Sequence, residues 1–322
     1  MDTRPPSEPR VAPTSVSVVV PVFNAAESLR ELTDRITASL RGRVFEIILV
    51  NDASSDESWA SVVSLTEEND AVRGIDLARN FGQHNALLAG IRASRYEVVV
   101  TIDDDLQHPP EEIPKLLAQL ALGFDVVYGA ERKESHGFLR SGASQLTKIA
   151  LSQFMAAETA RRVSAFRAFR TPVREAFATY DAPMVNIDVM LTWGTSRFSF
   201  VEVQHDARKY GQSNYTLGKL FTHAWNMITG FSIRPLQLAS FLGFAFTAVG
   251  AAVLTAVAVN YAVNGGKVPG FTFVASTVAI FAGIQLFALG IIGEYLARMY
   301  MRSMGRPGYV VRETTTSVAP EQ

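Results

Sequence analysis

The chain has 322 residues, of which 48% are hydrophobic and 19% are charged, and its formal net charge is −1. A chain of this length holds one large domain or two smaller parts, and its apolar content is sufficient for a sizeable core. The near-neutral charge argues against a nucleic-acid partner held by a basic field. Because the chain has no cysteine, disulfides, thiolate zinc sites and cysteine nucleophiles are excluded.

Residues 1–14 are polar and rich in proline. We expect them to form a disordered tail rather than a signal peptide, which would need an apolar core segment. From residue 16 to about 130, segments with the patterns of strands and helices alternate. Strands are predicted at 16–22, 45–50, 72–76 and 97–102, and helices at 27–40, around Trp59 to Leu65, and at 84–93. This alternation predicts a mostly parallel sheet with helices on both faces.

Polar clusters follow three of these strands, at Pro21–Asn24, Asn51–Asp52 and Asp103–Asp105. In open parallel sheets, ligands bind outside the carboxyl ends of the strands, so we expect the clusters to converge in one crevice. Neither a G-x-G-x-x-G fingerprint nor a P-loop follows the first strand. Their absence argues against dinucleotide redox chemistry and P-loop hydrolysis.

Three carboxylates in succession, Asp103–Asp105, come directly after an apolar strand. Like charges so close together repel each other, and their desolvation is unfavourable. A hard divalent cation between oxygen ligands removes both penalties, and a diphosphate can share such a cation. An acidic surface turn that caps the helix after Pro109 is the alternative interpretation. The other features of the chain favour the metal site.

The C-terminal third contains two long runs without a charged residue, 235–266 and 268–293, separated by Lys267. Each run exceeds the roughly 20 residues that a helix needs to cross a bilayer. We therefore expect two antiparallel transmembrane helices within residues 235–297, at about 236–262 and 271–293. The alternative is a pair of buried helices in a soluble core.

The segments on either side of these runs complete the membrane prediction. Residues 215–234 have the apolar stripe of an amphipathic helix, which we expect to lie in the membrane interface. Arginines flank the spans, at Arg234, Arg298, Arg302, Arg306 and Arg312. The positive-inside rule then places both termini and the catalytic domain in the cytoplasm, with residues 298–322 as a cytoplasmic tail. The chain is thus predicted to be a multi-pass protein of the inner (cytoplasmic) membrane.

Several segments together resemble the family 2 glycosyltransferases that move a sugar from a nucleotide onto a polyprenyl phosphate. This family includes dolichyl-phosphate mannose synthase, bactoprenol glucosyltransferase and undecaprenyl-phosphate 4-deoxy-4-formamido-L-arabinose transferase. The segments that carry the resemblance are Val18–Asn24, Val50–Asp56, Ala78–His84, Asp103–Glu111, Tyr210–Tyr215 and Gly293–Leu296. The part Arg79–His84 is slightly more similar to the formamido-arabinose type.

The resemblance implies an α/β fold of the GT-A type, with a Rossmann-like, mostly parallel sheet, at residues 15–214. It implies that Pro21, Phe23, Asp52 and Asp103 bind the nucleotide, and that Asp105 and Gln107 bind Mg²⁺ or Mn²⁺. The metal ligands are oxygen donors, as a hard cation requires. Core packing is the alternative interpretation of Phe23, and turn formation is the alternative for Asp52.

The resemblance also implies a site for the acceptor, a polyprenyl phosphate. The guanidinium of arginine matches the geometry of a phosphate, so we expect arginines at this site. The residues that align with acceptor-phosphate positions, or lie in a loop that closes over them, are Arg132, Arg140, Ser144, Arg208 and Ser213. The residues implied to be catalytic are Asp103, Asp105, Arg132 and Arg140.

The chain departs from the family pattern most clearly at Ala165, where many relatives have an acidic residue that is often proposed as a base. Either the reaction needs no base, since a phosphate monoester is already ionised, or another group such as Asp188 takes the role. Asn214 replaces a lysine that is frequent in relatives, and Asp104 replaces an alanine and is expected to point away from the metal.

The reaction expected from the resemblance is the metal-dependent, inverting transfer of a sugar, with UDP as the expected nucleotide. A polysaccharide-elongating synthase and a sugar-nucleotide-binding membrane scaffold without turnover are the alternatives. The first needs more helices and a Gln-x-x-Arg-Trp segment, which is absent. By analogy we expect a tetramer in the lipid bilayer.

Overall fold

The computed structural model describes residues 12–131, 162–206, 229–230, 233–264 and 270–315. The predicted tail at 1–14 and the predicted interface helix at 215–234 lie largely outside these residues.

Strands and helices alternate from Ser15 to Ala121, as the sequence predicts. The strands are β1 (Ser15–Val22), β2 (Val44–Asn51), β3 (Val72–Leu77), β4 (Val98–Thr101), β5 (Val126–Glu131), β6 (Arg167–Arg170), β7 (Phe198–Val203) and β8 (Val311–Thr314). The helices are α1 (Leu29–Ser39), α2 (Ser58–Glu68), α3 (Gln83–Ala93), α4 (Ile113–Ala121), α5 (Ile187–Gly194), α6 (Arg234–Asn264) and α7 (Phe271–Ser303). Short 3₁₀ helices occupy Pro110–Glu112 and Thr171–Phe177.

All eight strands form one mixed sheet in the order β7-β5-β6-β4-β1-β2-β3-β8. The central strands β4, β1, β2 and β3 run parallel, and β5 is parallel to β7. The strands β6 and β8 run antiparallel to their neighbours. The predicted α/β fold with a mostly parallel sheet is therefore confirmed.

The core lies on both faces of the central strands. The four residues of β4 are all buried, and so is every residue of β1 after Ser15. Strands buried on both faces read as continuous apolar runs rather than alternating ones. The helix α1 covers one face with Leu29, Leu32 and Ile36, which recur at helical spacing and are fully buried.

The chain divides into two compact units, of which the second is Trp225–Met304. Its helices α6 and α7 contain segments long and apolar enough to cross a membrane, Arg234–Val263 and Ile280–Ser303. They pack against each other: the rings of Phe246 and Phe281 are 6.0 Å apart, and the side chain of Tyr295 hydrogen-bonds to the backbone of Leu236. From Leu236 to Phe246 along α6, the contacted residue of α7 moves back from Tyr295 to Phe281, so the two helices run antiparallel.

The apolar side chains of α6 and α7 are largely exposed. Among them, Phe241 is 69% exposed, Phe244 79% and Leu254 71%. Core helices of a soluble domain bury such residues. The alternative that these helices form a soluble core therefore does not fit the structure.

The chain after α7 returns to the sheet of the first unit. The strand β8 pairs antiparallel with β3, from Ile75 opposite Thr314 to Leu77 opposite Val311. From the sequence, residues 298–322 are predicted to be a tail. Instead, the described part of this segment holds the last turns of α7 and an edge strand. All four residues of β8 are exposed, so they lack the buried, apolar pattern by which strands are recognised.

Candidate functional site

The polar segment 103–107 leaves the sheet where the ladder between β1 and β4 ends. The amide of Ile102 donates to the carbonyl oxygen of Val19 at 3.2 Å. Along β1, the next residue whose backbone groups point toward β4 is Pro21, which has no N–H to donate. The registered pairing accordingly stops at Val19 opposite Thr101. Pro21 itself is buried, so its side chain is part of the strand rather than of an open surface.

The loops after β1 and β4 are joined by a hydrogen bond. The amide of Phe23 donates to Oδ2 of Asp104 at 3.0 Å. Burial raises the pKa of Asp104 to about 7, although the bond from Phe23 opposes this shift, and the negative charges of Asp103 and Asp105 add to it. Three loops meet at this end of the sheet, namely those after β1, β2 and β4. Asp104, for which the sequence suggests no function, connects the first of them to the third.

Phe23 is 51% exposed at the end of β1. This exposure rules out the core-packing interpretation of the residue. A second aromatic ring, that of Phe81, lies under the guanidinium of Arg79 at 4.3 Å. Phe81 is only partly exposed, whereas the exposed ring of Phe23 offers a flat surface on which a base can stack.

The outer aspartates of the acidic run contact two glutamines. Oδ1 of Asp103 accepts a hydrogen bond of 2.6 Å from Nε2 of Gln83, and Oδ1 of Asp105 accepts one of 3.2 Å from the backbone amide of Gln107. Gln83, the first residue of α3, is a contact of the acidic run that the sequence does not predict. The only signal for it in the sequence was its position within the Ala78–His84 segment.

Asp52 is buried after β2, and both of its carboxylate oxygens are occupied. Oδ1 accepts from the amide of Phe81 at 2.7 Å and Oδ2 accepts from the amide of Gly82 at 2.8 Å. Burial raises the pKa of Asp52, and the two amides and Arg79 oppose the rise. Asp52 therefore fixes the distant turn before α3, a contact that neither interpretation of the residue predicted. Each oxygen retains a lone pair for a ligand.

Each of the three loops contains one non-glycine residue with positive φ: Asn24 at 53°, Ala53 at 53° and Leu106 at 59°. Side chains other than glycine adopt this region at a free-energy cost of about 1 kcal/mol or more. Such conformations persist where the surrounding structure holds them, and they cluster at functional sites. Their occurrence in all three loops marks this end of the sheet as the candidate functional site.

The donors that could hold a divalent cation here are the carboxylates of Asp103 and Asp105 and the side-chain amide of Gln107. All are oxygen ligands, which fits Mg²⁺ or Mn²⁺. Within the described ranges, no three His, Cys, Asp or Glu residues form a complete metal cluster. A cation at this site would therefore share its coordination sphere with water or with ligand oxygens. Burial lowers the pKa of the adjacent His108 to about 4, so its imidazole is neutral at physiological pH.

A buried ionic cluster lies beside the site, on β5, β6 and α5. The guanidinium of Arg167 donates to Oδ1 of Asp188, which also accepts from Oη of Tyr128 at 3.1 Å. Nε of Arg167 donates to Oγ1 of Thr101 at 3.0 Å. Because Asp188 is held by two donors, it is poorly suited to the role of a base that replaces the acidic residue absent at Ala165.

Five of the predicted site residues lie outside the described part of the chain: Arg132, Arg140, Ser144, Arg208 and Ser213. Their role in acceptor binding stays a prediction. The structure brings together the loops that carry Pro21, Phe23, Asp52, Asp103, Asp105 and Gln107.

Residues 17–177 match the family model described as glycosyl transferase family 2. The chain is 34% identical to the undecaprenyl-phosphate 4-deoxy-4-formamido-L-arabinose transferase of Pseudomonas fluorescens (strain Pf-5) over 307 residues, which is 94% of this chain and 91% of that protein. It is 32% identical to the protein of the same name from Salmonella paratyphi A, over 92% of this chain and 93% of that protein.

Similar folds occur among solved structures. Glucosyl-3-phosphoglycerate synthase from Mycobacterium tuberculosis, in complex with Mg²⁺ and UDP, superposes with a TM-score of 0.51 and 19% identity, over 67% of this chain and 77% of that one. Its complex with Mn²⁺, UDP and phosphoglyceric acid also gives 0.51 and 19%, over 67% and 76%. At this identity the similarity concerns the fold alone.

Proposed function

The chain belongs to glycosyl transferase family 2, and we propose from this premise that it transfers a sugar from a UDP-linked donor to undecaprenyl phosphate. The observation that carries the proposal is the meeting of the loops after β1, β2 and β4 at one end of the sheet, where the exposed ring of Phe23 lies next to the acidic run Asp103–Asp105. We call the space between these three loops the crevice. The names of the relatives support the acceptor and suggest 4-deoxy-4-formamido-L-arabinose as the first sugar to test.

In this proposal the nucleoside binds between the loops after β1 and β2. The ring of Phe23 stacks on the base, and the remaining lone pairs of Asp52 accept from the base or the ribose. Asp103 faces the nucleotide. Pro21 contributes through the backbone, because its missing N–H releases segment 103–107 from the sheet.

Asp105 and Gln107, with Asp103 nearby, would hold Mg²⁺ or Mn²⁺ against the diphosphate of the donor. When bound, the cation acts as a Lewis acid that stabilises the charge of the departing diphosphate. The two M. tuberculosis complexes with UDP, one containing Mg²⁺ and the other Mn²⁺, support this choice of metal.

The acceptor phosphate is assigned to the residues outside the described ranges: Arg132, Arg140, Ser144, Arg208 and Ser213. Arginines bring two anionic reactants together, which an uncharged pocket cannot do. Positioning and charge stabilisation then supply most of the rate enhancement.

The reaction needs no protein base. An oxygen of the ionised lipid phosphate forms a bond to the anomeric carbon while the bond from that carbon to the diphosphate oxygen breaks, and UDP leaves with the electron pair. In-line displacement inverts the anomeric centre. The absence of a carboxylate at Ala165 and the engagement of Asp188 by Arg167 both support this base-free route.

We further propose that α6 and α7 span the inner membrane and that both termini are cytoplasmic, so that the enzyme is a multi-pass protein with its active site on the cytoplasmic face. The long, exposed apolar surfaces of the helices support insertion in lipid. The arginines near their ends support the orientation. Assembly into a tetramer remains a separate prediction.

The proposal is tested with detergent-purified protein, undecaprenyl phosphate, Mg²⁺ or Mn²⁺, and a panel of UDP-sugars that includes the formamido-arabinose donor. We expect lipid-linked sugar from the wild type and none from Asp105→Asn, which should retain its fold. Asp70→Asn, an exposed aspartate in the turn before β3, is the matched control and should be fully active. Full activity in Asp105→Asn would refute the metal assignment, and nucleotide binding without any product would favour a non-catalytic scaffold.

A further inference from the structure

The chain segment after α7 is attached to the edge of the sheet by side chains as well as by its strand. Nε1 of Trp59 donates to Oε1 of Glu313 at 2.8 Å, and the amide of Gly74 donates to Oγ1 of Thr315 at 2.8 Å. The amide of Ala78 donates to the carbonyl of Val310, also at 2.8 Å. A segment that follows two long apolar helices in the sequence is thus built into the catalytic unit.

One residue of this segment, Arg312, forms an ion pair with a buried carboxylate. Its Nη1 lies 3.1 Å from Oδ2 of Asp76, and its Nη2 donates to the carbonyl of Ala78 at 2.8 Å. The side chain of Asp76 is 2% exposed, whereas that of Arg312 is 56% exposed. A buried carboxylate requires such a partner, because its desolvation is otherwise uncompensated.

From Asp76 a chain of hydrogen bonds leads to the loops of the crevice. Oδ1 of Asp76 accepts from Nδ2 of Asn51 at 2.6 Å, and Oδ1 of Asn51 accepts from Oγ of Ser54 at 2.6 Å. Oγ of Ser54 in turn accepts from the amide of Asn24 at 3.0 Å. Asn51 directly precedes Asp52, and Asn24 directly follows Phe23.

The chain of bonds also fixes the amide orientation of Asn51. Its Nδ2 must face Asp76 and its Oδ1 must face Ser54, since only the amide nitrogen donates and only the oxygen accepts. The strained residues Asn24 and Ala53 lie in the two loops that these bonds connect. Such conformations persist only where their surroundings hold them.

We propose that Arg312 is a positioning residue for the nucleotide half of the active site. It holds Asp76, and through Asn51 and Ser54 it holds the loops that present Phe23 and Asp52. The inference rests on the proposed function, since it takes these loops to be the nucleotide site. With Arg312 in this role, the segment after α7 is necessary for tight binding of the donor, although the segment does not itself contact the donor.

The experiment compares UDP binding by calorimetry in the full-length, detergent-purified protein with Mn²⁺ present. The variants are Arg312→Ala, Arg312→Lys and the control Trp59→Phe, which removes a different contact of β8 without touching Asp76. We expect the Kd for UDP to rise roughly 2- to 30-fold in Arg312→Ala, the range for a residue that acts through others. Arg312→Lys should recover part of the affinity, and Trp59→Phe should bind as the wild type does.

The binding stoichiometry separates positioning from loss of structure. If Arg312→Ala only unfolded a fraction of the protein, the number of sites would fall and the Kd of the remainder would be unchanged. Our inference predicts an unchanged number of sites, a raised Kd, and a raised KM for the donor with an unchanged KM for undecaprenyl phosphate. An unchanged Kd in Arg312→Ala, or equal losses in Arg312→Ala and Trp59→Phe, would overturn it. Failure of the wild type to bind UDP would instead overturn the proposed function, and the inference with it.

Discussion

Replacement of Asp188 by asparagine tests whether this carboxylate serves the structure or the chemistry. The change removes the charge that faces Arg167, whose side chain is 1% exposed. A buried ion pair that loses one partner leaves the other charge uncompensated, which destabilises a protein by about 3–5 kcal/mol. The bond from Tyr128 to Oδ1 can persist in the variant, because asparagine keeps an acceptor oxygen.

The expected change in thermal stability follows from this magnitude. For a catalytic unit of roughly 150–250 residues, 1 kcal/mol corresponds to about 2–4 °C in Tm, so Asp188→Asn should melt about 6–20 °C lower than the wild type. The double variant Arg167→Met/Asp188→Leu removes both buried charges. It should melt well above Asp188→Asn, because an apolar pair avoids the uncompensated charge.

The assay of turnover distinguishes the two roles of Asp188. At a temperature below both transitions, the pH dependence of kcat for Asp188→Asn should have the same shape as that of the wild type, since no proton passes to this residue. A general base contributes typically 10²- to 10⁴-fold to the rate. A loss of that size in a folded Asp188→Asn variant, together with loss of the acidic limb of the pH profile, would refute the base-free mechanism.

Two further predictions concern the packing under the crevice and its aromatic surface. In Gly90→Ala the new Cβ would lie 2.4 Å from Cγ1 of Val19. Overpacking of this kind costs about 1–3 kcal/mol, which exceeds the gain of up to about 1 kcal/mol in helix propensity. The Tm of Gly90→Ala should therefore fall, and it should recover in the double variant Gly90→Ala/Val19→Ala. A rise in Tm for Gly90→Ala alone would show that α3 can shift freely. Phe23→Leu keeps an apolar side chain but removes the ring, so UDP should bind about 5- to 140-fold more weakly, the equivalent of about 1–3 kcal/mol for base stacking. An unchanged calorimetric affinity would exclude stacking on Phe23.

The central part of the fold could be predicted because its signals are local. The strands β1, β2 and β4 are predominantly apolar, and each ends at a polar cluster. The convergence of Phe23, Asp52 and Asp103 then follows from the parallel order of the strands. The exposure of Phe23 could not be predicted in this way, because an aromatic residue after a strand is equally compatible with core packing.

The remaining parts depend on pairings between distant residues. The strand β6 contains the buried Arg167, so its pattern does not indicate a core strand until its partner Asp188 is known. The pairing of β8 with β3 joins residues more than 230 positions apart, as does the bond from Arg312 to Asp76. Short, exposed strands of this kind have no periodicity to recognise, and the hydrogen bonds from Asp76 to Asn24 are visible only once the fold is known.

The central claim is that this chain joins a sugar to a lipid phosphate, and the most direct measurement is the mass of the lipid after the reaction. Undecaprenyl phosphate, a UDP-sugar and Mg²⁺ or Mn²⁺ are incubated with the purified protein, and lipid and nucleotide are quantified together. We predict that the lipid gains the mass of one sugar residue and that one UDP is released for each lipid modified. Release of UDP with no change in the lipid, or no release with any donor of the panel, would contradict the account.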